Sequence, residues 1–252
     1  MTSFNKKQLS QESSYVFPYH YLDLQNDAEK LVWNIRIEHT SYLRVVKNLL
    51  KPFEGKIILD AGCGDGRFCY EMKNEDVKII GVDFSKKAID FAKAFNPALE
   101  FFTQDLKNFS VPYEFDAVVL IETLEHLSPE DTALALKNLA GVIKTNGKLI
   151  VTVPSVNLPL ISKHYRHFSE ETLRETLRDY FKVVEVKGHS KIGFYKKIFS
   201  ILRQFAIFTA PMANRIKLVQ IFGKFLNRFF VKHLETGSPA ECDRLIAVCE
   251  KK

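Results

Sequence analysis

The sequence predicts an α/β protein: a mostly parallel sheet of seven strands, an N-terminal helix and lid, and a helical insertion before the last strand. Three observations carry this. Short apolar runs alternate with segments of helical period from Ile57 to Lys187, the pattern of crossover connections between parallel strands. The first run, Ile57-Ile58-Leu59, leads into Asp60-Ala61-Gly62-Cys63-Gly64-Asp65-Gly66, whose alternate glycines tolerate positive φ and leave bare backbone for a ligand. Four strands in turn deliver a polar group at the carboxyl end, the edge where open α/β sheets bind ligands.

In chain order, residues 1–14 are polar and expected to be disordered. Tyr15 to Tyr21 places aromatics at every second position around Pro18, an extended segment that serves either as a lid or as a strap on the core. Asn26 and Glu29 form a capping box for a helix running to Leu50, which Pro52 stops. After the glycine turn a helix opens near Arg67, its free N–H groups facing the ligand. Val77–Asp83, Leu99–Thr103 and Phe115–Ile121 are the next strands. Ser85 caps the helix of residues 86–95, and Ser128-Pro129-Glu130-Asp131 opens one ending near Lys144. Asn146-Gly147 turns into the strand Lys148–Val153, Pro154–His167 is a loop, and Ser169 caps a helix to about Tyr180. Phe181–Lys187 and Arg244–Cys249 complete the sheet. The domains read as 1–52 (lid and helix), 53–190 with 240–252 (core) and 191–239 (basic amphipathic insertion).

Bulk properties narrow the class. Hydrophobic content of 46% and charged content of 26% are those of a globular chain. There is no eighteen-residue apolar run and no apolar leader core, and the four cysteines lack metal-site spacing, so a reducing cytoplasm is expected. The net charge of +6 is uneven: Val186–Leu234 holds ten Lys and Arg and no Asp or Glu.

Asp83 lies seventeen residues after Gly66, near the spacing at which an acid meets a ribose diol. Together Leu59–Gly66, Gly81-Val82-Asp83-Phe84-Ser85, Gln104-Asp105-Leu106 and Phe115–His126 resemble the class I S-adenosylmethionine-dependent methyltransferases, a Rossmann-like family. A dinucleotide dehydrogenase would carry a differently spaced glycine set, G-x-G-x-x-G. The resemblance implies that the glycine turn and Asp60 hold the methionine moiety, Asp83 the ribose, and Asp105 with Leu106 the adenine. Asp60, Gly62, Cys63, Gly64, Asp83, Phe84, Asp105, Leu106 and Ile121 form the implied cofactor set.

Glu122, Glu125 and His126 fall at i, i+3 and i+4, so on a helical turn they share a face at the sheet edge where the methyl group should sit. His164 and His167 lie in the loop reaching the same edge. Two carboxylates and imidazoles suit Mg²⁺, Mn²⁺ or Zn²⁺. This element resembles two metal-using branches of the family, the small-RNA 2′-O-methyltransferases and the O-methyltransferases of quinone biosynthesis. The metal set is Glu122, Glu125, His126 and His167, with His164 the alternative to His167; the catalytic candidates are His126, Glu122 and His167. Leu124-Glu125-His126 also resembles family members that use no metal, which implies that the glutamate touches the cofactor and the histidine caps a turn or acts as a base. Ile121-Glu122-Thr123-Leu124 stands where amino-methylating relatives carry Asn-Pro-Pro-aromatic, which favours O-methylation.

The expected function is O-methylation of a small lipid-like, quinone-like or glycan-like acceptor. The rivals are RNA 2′-O-methylation and cofactor binding without turnover. The insertion, residues 194–234, mixes cations with Phe, Ile and Leu, the pattern of an interfacial helix at an anionic membrane. Covering the active site or forming a dimer face are its other readings. Nucleic acid is disfavoured by so much apolar surface, and the protein is placed in the cytoplasm, with peripheral contact at the inner membrane face left open.

Overall fold

In the computed structural model, which describes residues 6–16, 19–21, 29–209 and 217–252, one mixed sheet organises the chain. Its strands are β1 (Lys56–Ala61), β2 (Val77–Asp83), β3 (Glu100–Thr103), β4 (Phe115–Ile121), β5 (Ile143–Pro154), β6 (Phe181–Lys191), β7 (Thr236–Gly237) and β8 (Cys242–Lys251). They lie in the order β3-β2-β1-β4-β5-β8-β6-β7. The five strands from β3 to β5 pair in parallel, and β8 inserts antiparallel between β5 and β6. Seven strands were expected and eight are found among the described residues. The additional one is two residues long, pairing with Gly188 and His189, too short to carry a readable period.

The helices are α1 (Lys6–Ser14), α2 (Glu29–Leu49), α3 (Arg67–Met72), α4 (Lys86–Phe95), α5 (Pro129–Val142), α6 (Glu170–Leu177), α7 (Phe194–Thr209) and α8 (Lys217–His233). Ser85, Ser128 and Ser169 cap α4, α5 and α6, accepting from Ala88, Asp131 and Thr172 N–H at 3.0–3.1 Å. Asn26 and Pro18 lie outside the described residues. Residues 6–14, expected to be disordered, form α1. Its Lys, Gln and Glu are good helix formers, yet nine residues are too few to hold a helix in isolation. Lys7, whose ammonium donates to the His164 carbonyl, supplies a tertiary anchor that composition does not reveal.

Strand periodicity divides the core in two. Ile58, Ile79, Val119 and Ile150 face α2, α3 and α4, while Leu59, Ile80, Val118 and Leu149 face α5 and α6. A one-residue slip would exchange the faces, so burial on both sides fixes the register. β1 has β2 on one side and β4 on the other. Connections leave β1 and β4 in opposite directions, and a crevice opens at the carboxyl ends of these strands. No helix among the described residues is long and apolar enough to cross a membrane.

Candidate active site

The crevice is a cleft of about 390 Å³, floored by the glycine turn. Gly62 and Cys63 N–H both donate to the Val82 carbonyl, at 2.8 and 2.9 Å, which ties the turn to β2. Gly62 has φ 78°, and a Cβ there would sit 2.5 Å from Thr123 Oγ1. Asp83 bridges the same region: its Oδ2 accepts from Gly64 N–H at 3.0 Å and its Oδ1 from Ser85 N–H at 2.8 Å. Burial pushes the Asp83 carboxyl up to about 6, although these two N–H donors pull the other way. Asp60, 1% exposed, accepts only a weak donor, the Cys69 thiol at 3.4 Å. Burial first, then the nearby Asp83 and Asp65, push it up to about 7. Asp65, also buried, meets the His20 ring at 2.8 Å. The floor therefore gathers three buried carboxylates.

A second cluster stands beyond β4. Glu122 leaves the strand with φ 50°, a left-handed conformation that a non-glycine residue adopts only when its surroundings hold it. Its carboxylate accepts from Arg244 Nε at 3.1 Å and from Thr152 Oγ1 at 3.4 Å. A 3-10 turn, Leu124–His126, then aims Glu125 and His126 into the cleft. One oxygen of Glu125 and one ring nitrogen each of His126 and His164 lie within 4.8 Å of one another. Glu125 is buried, its Oε2 has no hydrogen-bond donor, and burial followed by repulsion from Glu122 holds its carboxyl well above the usual range. Burial, reinforced by Lys163, pushes the His126 imidazole down to about 4, and burial pushes His164 down to about 3.

The tautomers follow from the partners. His167 Nδ1 faces the Leu158 carbonyl at 3.0 Å and therefore carries the proton, so in the neutral ring Nε2 accepts from His164 Nδ1 at 2.8 Å. His164 Nε2 is left with a lone pair. His126 Nδ1 turns to the Lys163 carbonyl at 3.4 Å, which likewise leaves Nε2 bare. His167 is thus the support of His164, and His164 is the ring that lines the cleft.

Residues 58–147 match the methyltransferase-domain family. The mitochondrial ubiquinone biosynthesis O-methyltransferase of Schizosaccharomyces pombe is 28% identical over 168 residues, 60% of each chain. The tRNA (carboxymethyluridine(34)-5-O)-methyltransferase of Xenopus tropicalis is 30% identical over 119 residues, 46% of this chain and 18% of that one. The chain thus spans less than two thirds of either relative. The chain carries a class I S-adenosylmethionine-dependent methyltransferase domain. Its fold is also that of magnesium protoporphyrin IX methyltransferase from Synechocystis with bound S-adenosylmethionine, at TM-score 0.61 and 16% identity over all of both chains.

Every residue of the implied cofactor set lines the one cleft, as do Glu122, Glu125 and His126. Sequence reasoning missed Arg244, read only as the start of the last strand, and Thr123, which donates to the Ala61 carbonyl at 3.3 Å. Their signal was position: Arg244 is on the strand beside β5, and Thr123 follows the strained residue. α1 crosses the cleft, with Gln8, Gln11 and Ser14 lining it and Tyr15 Oη 2.9 Å from where a Gly64 Cβ would stand.

The glycine turn gives a stability prediction. Gly62→Ala must hold a Cβ at positive φ and displace Thr123, for a loss of about 2 kcal/mol. In a chain of this size that lowers the melting temperature by roughly 4–8 °C. Calorimetry showing an unchanged melting temperature would mean that the turn relaxes without strain.

Proposed function

We propose that this methyltransferase transfers the methyl group of S-adenosylmethionine to a hydroxyl of a small molecule bearing a second oxygen nearby, with a divalent ion held by Glu125, His126 and His164. The observation that carries the reading is the buried Glu125 carboxyl, its Oε2 without a donor and its Oε1 4.0 Å from His126 Nε2, grouped with two imidazoles whose lone pairs are left bare. A buried carboxylate without a donor is costly unless a cation meets it. One carboxylate and two imidazoles suit Mn²⁺ or Zn²⁺ better than Mg²⁺. An ion there would lower the pKa of an acceptor hydroxyl and orient it.

The chain's own residues do the rest. The acceptor hydroxyl gives its proton to solvent water as the oxygen bonds to the methyl carbon, and the methyl leaves sulfur with the S–C bond electrons returning to a neutral thioether. Asp83 serves the ribose hydroxyls, Asp105 and Leu106 the adenine, and the acidic floor the donor's ammonium and sulfonium charges. Glu122 is held by Arg244 at the rim, and His167 keeps His164 in one tautomer. The cover formed by α1 supports a small acceptor, because a polymer would have to displace the Lys7 contacts with His164 and with the Tyr165 ring, 4.1 Å away. Incubation with methyl-labelled cofactor and catechol, lipid, sugar and RNA fractions, with and without chelator, tests the reading. Label should enter a small-molecule fraction and vanish on chelation. Label in RNA would overturn it.

The floor predicts a pH dependence. The free protein holds Asp60 protonated below about pH 7, whereas the donor's positive charges favour the ionised form. Binding below about pH 7 must therefore release a proton, and affinity should fall as pH drops, by up to about tenfold per unit. Calorimetry at acidic pH in two buffers of different ionisation enthalpy reads this release. Identical heats would show that Asp60 does not change protonation on binding.

A further inference from the structure

α7 and α8 form an antiparallel hairpin, with Phe199 against Phe230 (5.2 Å between ring centres) and Phe205 against Phe222 (5.6 Å). Phe199, Ala206, Leu226 and Phe230 turn inward and close a small core with Ile37 of α2. The inward cations are neutralised. Lys196 reaches Glu38 at 2.6 Å and Asp243 at 3.1 Å, and Arg203 lies 4.0 Å from Glu38.

The outer face differs. On α7, Phe194, Ile201, Phe205 and Phe208 recur at i, i+7, i+11 and i+14, one stripe of the helix, with Ile201 71% and Phe208 83% exposed. On α8, Leu218, Ile221 and Phe225 make a second stripe, Leu218 being 70% exposed. Lys197, Lys224, Arg228 and Lys232 are exposed on the same helices, and among the described residues none of the four meets a carboxylate. The contrast matters. Cations facing the fold are paired, and cations facing out are left for something else.

We propose that this face docks on an anionic lipid surface. The aromatic and aliphatic stripes enter the headgroup–acyl boundary, and the four cations meet lipid phosphates. Attachment is peripheral, since neither helix can span a bilayer. A second copy of the chain fits the face badly, because a two-fold contact joins the same patch of both protomers and so brings two sets of these cations together with no carboxylate of the patch to offset them. Nor is the face a cover for the cleft: the hairpin's inner side is the one turned to α2, whose His39, Tyr42 and Leu43 line the cleft. The proposal stands independently of the metal and of the acceptor.

Sedimentation with vesicles of phosphatidylcholine alone, or of phosphatidylcholine with phosphatidylglycerol, tests it on the full chain. Binding should appear only with the anionic vesicles and weaken as salt rises. Each basic residue at the surface contributes about fivefold in affinity, so Lys224→Gln with Arg228→Gln should lose roughly twenty-five-fold. Ile201→Ser with Phe208→Ser should abolish the part that survives high salt; these exposed side chains can change without harm to folding, which a thermal melt checks. Equal recovery with both vesicle types, or none with either, overturns the proposal. So does a dimer by light scattering that Phe225→Ser converts to monomer, since the face would then belong to a second copy.

Discussion

Asp83→Ala should weaken S-adenosylmethionine binding about a hundred-fold, a loss of about 3 kcal/mol. The residue holds the glycine turn through Gly64 N–H and the start of α4 through Ser85 N–H, and in the proposed reading its carboxylate also meets the cofactor's ribose. Charge-assisted hydrogen bonds of this kind contribute about 1.5–3 kcal/mol each. Asp83→Asn separates binding from stability. A carboxyl raised to about 6 in the fold is destabilising once the unfolded chain ionises: the cost grows from about pH 4 to about pH 6 and stays constant above. At pH 8 that cost is on the order of 3 kcal/mol, and the amide removes it while giving up one N–H acceptor. Asp83→Asn should therefore melt no lower than the parent at pH 8 and still bind the cofactor at least tenfold more weakly. Calorimetric titration decides: unchanged affinity in the folded variants would remove Asp83 from the cofactor site.

Most of the glycine-turn end of this cleft was legible because it is local. Glycines at alternate positions after a strand, and an acid at the end of the next strand, are features of single turns, and period-2 burial carries each strand into the sheet. The acceptor end is assembled from distant segments. Nothing in the sequence says that Arg244 would sit against Glu122, since the pairing depends on β8 inserting beside β5. His164 and His167 could be placed at the right edge but not told apart. Their difference is one of tautomer and partner, set by the carbonyl of Leu158 behind His167. α1 was misread for the same reason. Its residues have no apolar period, and what orders them is a contact with the loop carrying those histidines.

Metal affinity should rank the residues of the acceptor cluster. In the proposed site Glu125, His126 and His164 are direct ligands, while His167 acts only through His164. Titration with Mn²⁺ or Zn²⁺ should then show His167→Ala weakening binding about 10–100-fold, the usual cost of a lost outer partner. His126→Ala and Glu125→Gln should cost more, since each removes one of three protein donors. Glu122→Gln should leave metal affinity nearly unchanged, its carboxylate being engaged by Arg244 rather than by the cluster. Exhaustive chelation should stop turnover while cofactor binding persists, because the implied cofactor set lies on β1 and its glycine turn, the end of β2, the turn after β3 and the last residue of β4, and shares no side chain with the three ligands. Glu125→Gln carries an internal control. Neutralising a buried carboxyl whose pKa is already raised should not lower the melting temperature at neutral pH, so lost metal binding there could not be blamed on unfolding. If the parent binds neither ion and turnover survives chelation, the cluster is metal-free, and His126, neutral at physiological pH, becomes the base that takes the acceptor's proton.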